Sequence, residues 1–185
     1  EASEALARRL DAGGYAHSVA VAETAAGLAT VYGVDAESAY LAGLLHDWAR
    51  DDAPDTLLAE AARLGVEVTS VDRAVPYLLH ARTGAAAVGE WFTWLSPDVI
   101  NAISRHTLGS PDMSDLDAVV YLADAIEPGR DSAAAEGLRA LVGTVPLFDL
   151  YGRAYAHSLE RLVRERRRIH PGTVDAWNAI IGAKH

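Results

Sequence analysis

The chain has 185 residues, half of them apolar and 23% charged, with a formal net charge of −10 and no cysteine. That length suits one domain with a sizeable core, and the composition argues against disorder. Without cysteine there are no disulfide frameworks, zinc–thiolate sites, iron–sulfur clusters or thiol nucleophiles, and the acidic balance disfavours a nucleic-acid polymer as partner.

No apolar run approaches the length of a membrane span. The opening stretch EASEALARRLDA is charged and lacks the apolar core of a signal peptide, and the absence of an initial Met reads as a processing boundary. The expectation is a cytoplasmic protein without a membrane partner.

Ala and Leu dominate, β-branched runs are short, and the pattern is helical almost throughout. Residues 15–31 carry Val21, Ala22, Ala25, Leu28 and Ala29 at helical spacing, with Gly33 as C-terminal cap. Asp35 caps a helix that ends near Asp47, and Pro54 opens a short helix through Leu64 that Gly65 closes. The stretch VEVTSVD is the only β-like piece. Residues 73–95 suggest two helical segments broken around Gly84. Ser96-Pro97 starts a helix running to about His106, and Ser114 starts another that stops at Pro128-Gly129. Residues 133–142 and 147–167 form two more, the second ending in the basic run RERRR, and a last amphipathic segment follows Pro171. The reading is one all-α domain over 1–185, with its core at about 15–180.

Imidazole and carboxylate together suit zinc, iron, manganese, cobalt or nickel. The stretch LAGLLHDWAR, 41–50, delivers adjacent His46 and Asp47 to the polar end of an apolar helix. Alone, such a pair is weak evidence: seven His and fifteen Asp in 185 residues make about 0.6 adjacent pairs by chance. The set carries more. His17, His46-Asp47, His80, His106 and Asp124 each fall on a separate expected helix or its end, with apolar neighbours that turn them inward. Asp124 borders a buried stripe, where a carboxylate needs a cation or hydrogen-bond donors.

In the order His, His-Asp, His, His, Asp, the chain resembles the binuclear branch of the HD superfamily. Four stretches further resemble bacterial symmetrical bis(5′-nucleosyl)-tetraphosphatases of the YqeK type: YAHSVAVAETAAGLATVYGVD at 15–35, LAGLLHDWAR at 41–50, INAISRHTLGSPDMSDLDAVVYLADAIEPGRD at 100–131, and IHPGTVDAWN at 169–178. Among these, the block from His106 to Asp131 is the most specific. The resemblance implies a single-domain helical HD fold with a buried binuclear metal site, iron being its native metal. It implies symmetrical hydrolysis of diadenosine tetraphosphate to two ADP. Carried over by position, His17, His46, Asp47 and Asp124 hold one metal, and Asp47 bridges to a second completed by His80 and His106. The chain departs from the family at Trp48 and Arg50, where Tyr and Lys are common, and at Gly172 and Trp177, where basic residues are.

Two metals would make a bridging hydroxide available near neutral pH for attack on an inner phosphate. Arg130 is the first candidate to cover the remaining phosphates, followed by Arg50 and Arg105. Thr107 and Gly109 offer hydroxyl and backbone donors in the loop after His106, and His170 is a further substrate candidate. Asp52, or its neighbour Asp51, would assist proton transfer. His157 lacks an acidic partner at useful spacing and reads as structural, the RERRR run as a solvated helix end, and His185 as a disordered terminus. The four tryptophans read as core or lid residues more than as base-stacking partners. The expected ligands are a dinucleoside polyphosphate and its nucleoside diphosphate product, and a homodimer is compatible with the sequence. The rival readings are another HD-type nucleotide phosphohydrolase and a non-catalytic nucleotide-binding HD module.

Overall fold

Side-chain caps start most of the helices. The computed structural model describes residues 2–182; His185 lies outside the described residues. In chain order the helices are α1 (Ala2–Ala7), α2 (Ala12–Tyr32), α3 (Ala36–Leu45), α4 (Pro54–Arg63), α5 (Ser70–Ala74), a 3-10 turn (Pro76–Leu79), α6 (His80–Trp91), α7 (Pro97–Arg105), α8 (Asp115–Ile126), α9 (Ala133–Leu141), α10 (Leu147–Arg164) and α11 (Pro171–Gly182). Asp11, Asp35, Ser96, Ser114 and Ser132 each accept a backbone N–H of the first turn that follows. Gly33 takes the left-handed conformation (φ 74°) that ends α2. Among the described residues there is no strand.

The core is built around α8. Nine of its twelve residues are buried, and it packs against α2, α3, α7, α9 and α10. A helix apolar on nearly every side belongs at the centre of such an assembly. Helices α2 and α3 form an antiparallel pair whose closest approach is at Gly43, where an added Cβ would lie 2.9 Å from the Ala22 Cα. No side chain larger than hydrogen fits there.

Three local expectations need correction. VEVTSVD forms no strand: Val66 and Val68 pack on Leu57 and Leu79, while Thr69 and Asp72 form a reciprocal capping box that starts α5. Gly84 does not break a helix, because α6 runs through it, and the change of segment falls at Leu79–His80. Gly84 instead lies against the Trp48–Ala49 backbone. The first residues, assigned no element from sequence, form α1, with Leu6 fully buried.

Two glycine substitutions are expected to act in opposite directions. Gly43→Ala should lower stability by about 1–3 kcal/mol through overpacking against Ala22. Gly27→Ala, on the exposed face of α2 with open space around it, should raise stability by about 0.5–1 kcal/mol. Denaturant titration of both variants checks the pair.

Candidate metal centre

The site is assembled from helix ends. His46 directly follows α3, His106 directly follows α7, and His80 follows the 3-10 turn. Each ring turns back on its own element: Nδ1 lies 2.7 Å from the Gly43 carbonyl in His46, 2.6 Å from the Tyr77 carbonyl in His80, and 2.7 Å from the Ile103 carbonyl in His106. A carbonyl oxygen only accepts, so Nδ1 carries the hydrogen in all three. The Gly43 and Ile103 carbonyls are ones that helix ends leave without an intrahelical partner, whereas the Tyr77 carbonyl accepts both the backbone N–H and the ring of His80. His17, in α2, is oriented the same way by a carboxylate, Glu127 Oε1 at 3.3 Å. Neutral, all four imidazoles therefore present a bare Nε2 lone pair.

The four Nε2 atoms converge on Asp47. One carboxylate oxygen, Oδ2, is 3.2 Å from His46 Nε2 and 3.7 Å from His17 Nε2. The other, Oδ1, is 3.3 Å from His80 Nε2 and 3.7 Å from His106 Nε2. Asp124 Oδ1 joins the first side, 3.1 Å from His17 Nε2 and 4.0 Å from His46 Nε2. The Nε2 atoms of His80 and His106 stand 3.2 Å apart. His46, Asp47, His80 and His106 are all buried, and the Nε2 atoms of His17 and His46 are buried without a hydrogen-bond partner.

So dense a set of acceptors, two of them orphaned, is satisfied by cations. Protons serve in part. Burial works to raise the Asp47 pKa, yet the charge of His46 and hydrogen bonds with His106, His46 and His80 hold it far below the usual carboxylate range. Burial likewise pulls His17 down, but its contact with Asp124 outweighs this and leaves the imidazole above its ordinary value. The donor set fits divalent metal ions: imidazole nitrogens with fixed tautomers, two carboxylates, and second partners on every ring. Its two sides share Asp47.

Asp47, His80, His106 and Asp124 line a cleft of about 580 Å³, with His46 buried behind them. Arg50 and Arg130 stand at its rim, Arg50 2.6 Å from Asp47 Oδ2 and Arg130 2.5 Å from Asp124 Oδ1. Thr107 also lines it, with its hydroxyl 3.0 Å from His106 Nε2.

Four other sequence candidates are not brought here. Asp52 is engaged by Arg9 at 2.8 Å, away from the cleft, and is withdrawn as a proton-transfer group. Arg105 is held by Asp117 and Asp112, where it neutralises the buried capping-box carboxylate of α8. Gly109 (φ 71°) forms a tight turn, where a Cβ would lie 2.9 Å from the Tyr155 ring. His170 is fastened to Thr69, Asp72 and the Gly172 N–H, joining α5 to the start of α11. None of the four tryptophans lines the cleft.

Other residues were missed. Glu127 lies inside the quoted EPGRD motif, and its buried carboxylate orients His17. Tyr77 lines the cleft with its ring 4.5 Å from that of His80. His157 does have an acidic partner, Glu160 at 3.5 Å, and lines the cleft beside Arg161 and Arg164. The wide i,i+3 spacing to Glu160 was visible in the sequence.

Residues 14–129 match the HD domain family model. The chain belongs to the HD domain family. Among its HD relatives, a symmetrical bis(5′-nucleosyl)-tetraphosphatase from Halalkalibacterium halodurans is 34% identical over 90% of this chain and 88% of its own. The protein of that name from Bacillus subtilis is 29% identical over 98% of this chain and 96% of its own. A crystal structure of a predicted HD superfamily hydrolase involved in NAD metabolism, from Clostridium acetobutylicum, superposes with a TM-score of 0.92 at 31% identity, covering 98% of this chain and 96% of that one. The HD match spans His17 to Asp124, and so takes in the whole cluster.

Glu127→Gln keeps the shape but removes the charge that orients His17. Metal affinity should fall about 10–100-fold, read by chelator competition, with the helical circular dichroism unchanged. Because each ligand imidazole must be deprotonated, metal per chain should also fall as the pH drops through the histidine range. Asp124 leaves the His17 pKa raised despite burial, so protonation of His17 contributes to this loss, and metal analysis after dialysis at stepped pH follows it.

Proposed function

We propose that this HD protein hydrolyses dinucleoside tetraphosphates symmetrically, cleaving diadenosine tetraphosphate into two ADP with the help of two metal ions. The observation that carries the reading is the convergence of four imidazole Nε2 atoms on the two oxygens of Asp47, at the floor of a cleft rimmed by arginines. The names borne by the relatives from H. halodurans and B. subtilis support the substrate. His17, His46, Asp47 and Asp124 would hold one metal; His80 and His106, with Asp47 shared, would hold the other. Iron is the metal proposed, and the whole chain is proposed to act as one domain in the cytoplasm. No helix among the described residues is long and apolar enough to cross a membrane.

When bound, the metals would supply an acidified water as nucleophile and offset negative charge on the phosphoryl oxygens. The chain's own residues do the rest. Arg130 anchors its Nε–H on the Asp124 carbonyl, 2.9 Å away, so its guanidinium is aimed before any substrate arrives. Arg50 is set by Asp47 in the same manner. Both cations stand where a polyphosphate entering the cleft must pass, which reverses locally the field of an acidic protein. Thr107 offers its hydroxyl beside the histidines, and the Tyr77 ring closes one wall.

Chromatography of the products tests the reading. ADP alone from diadenosine tetraphosphate is expected, and release of AMP with ATP would exclude symmetrical cleavage. His46→Ala should abolish turnover together with metal binding. Turnover of other nucleotides but not of dinucleoside polyphosphates would favour another HD phosphohydrolase, and nucleotide binding with no turnover a non-catalytic module.

A further inference from the structure

The turn that follows α8 carries two groups of the site: Glu127, whose carboxylate orients His17, and Arg130 at the rim of the cleft. The chain leaves helical geometry at Glu127 (ψ 156°) and turns through Pro128 and Gly129. The Arg130 N–H, 2.9 Å from the Glu127 carbonyl, closes the turn. Helix α8 therefore ends on carbonyls that have no partner within the helix. A single side chain from the last turn of α9 takes them. Arg139 donates from Nε to the Ile126 carbonyl and from Nη2 to the Glu127 carbonyl, each at 2.7 Å, and from Nη2 again to the Arg130 carbonyl. Nε and Nη2 form one edge of the planar guanidinium, so its rigid fork meets two successive carbonyls side by side. Capping the helix needs only those two. The bond to the Arg130 carbonyl reaches past the helix end and ties the far side of the turn to the near side. Among the described residues all the hydrogen-bond partners of Arg139 are main-chain carbonyls, in a chain with ten excess negative charges.

We propose that Arg139 is a positioning residue of the site: it fixes, in one register, the carboxylate that orients His17 and the guanidinium that meets the substrate phosphates. It does not line the cleft and acts only through Glu127 and Arg130. Those two side chains are themselves linked, with Arg130 Nε 3.6 Å from Glu127 Oε1, so a shift of the turn moves both. The role toward Arg130 rests on the phosphohydrolase reading above, while the role toward His17 concerns a metal ligand alone.

Two mutant cycles on the full chain test this. R139M keeps an unbranched side chain and removes every donor. Its affinity for Mn²⁺, read by chelator competition, should fall about tenfold. At saturating metal its KM for diadenosine tetraphosphate should rise by about the same factor, tenfold, as a misplaced contact predicts. R139K keeps the charge without the fork and should recover part of both losses, which also covers the case of an R139M chain that does not fold. Because Arg139 acts through its two partners, the effects should not add: R139M/E127Q should bind Mn²⁺ no more weakly than E127Q, and R139M/R130M should have the KM of R130M. An additive loss in either cycle would overturn the half of the proposal that it reads. Unchanged metal affinity and KM, with only a lower unfolding midpoint, would overturn both halves and leave Arg139 as a cap of α8. A wild-type protein that leaves diadenosine tetraphosphate intact refutes the proposed reaction, while the Mn²⁺ cycle still decides the role of Arg139.

Discussion

The bond from each imidazole Nδ1–H to a fixed acceptor is the constraint on which the site depends. It sets the tautomer, locks the ring plane, and leaves one lone pair pointing inward from each of four histidines. The acceptors are main-chain carbonyls three residues earlier in three cases, so the ligands have to sit where an element ends. The helix lengths of α3 and α7 are thereby tied to the chemistry. One residue more of regular helix would make the Gly43 and Ile103 carbonyls share themselves between a backbone N–H and the ring, as the Tyr77 carbonyl does between the His80 N–H and its imidazole.

Around this framework the electrostatics is layered. The innermost groups are acceptors, crowded closely enough that His80 and His106 face each other with unshared pairs. Arg50 and Arg130 form the next layer, each bound to a carboxylate oxygen. Further out along α10 the cations have no such partners. Charge of alternating sign therefore extends from the floor of the cleft to its mouth, on a protein whose overall sign is negative.

Much of this was legible in the sequence, and the reason is local. The caps at Asp35, Ser96 and Ser114 and the stop at Gly33 act within four residues, so the limits of α3, α7 and α8 could be read directly. The ligand histidines stood out because imidazole is rare on apolar helix faces. What escaped depends on distant partners. Arg105, Asp52 and His170 looked available, but Asp117, Arg9 and Asp72 claim them, two of these from more than forty residues away. Gly84 looked like a break because glycine is a poor helix former, yet that modest penalty is smaller than the packing of α6 against the Trp48–Ala49 segment. Arg164, in the RERRR run, looked like part of a solvated helix end, since nothing in its vicinity along the chain reveals what α10 faces.

The carbonyls that hold the histidines have one more consequence. They are the negative ends of α3, α7 and the 3-10 turn, and all three elements end at the same small volume. A positive ion placed there is attracted by backbone dipoles that cannot tell one element of the periodic table from another. Attraction of a cation and choice among cations are thus separate properties of this fold. The backbone provides the first, and only the softness and number of the side-chain donors provide the second, so the occupant in a living cell follows metal supply as much as it follows the protein.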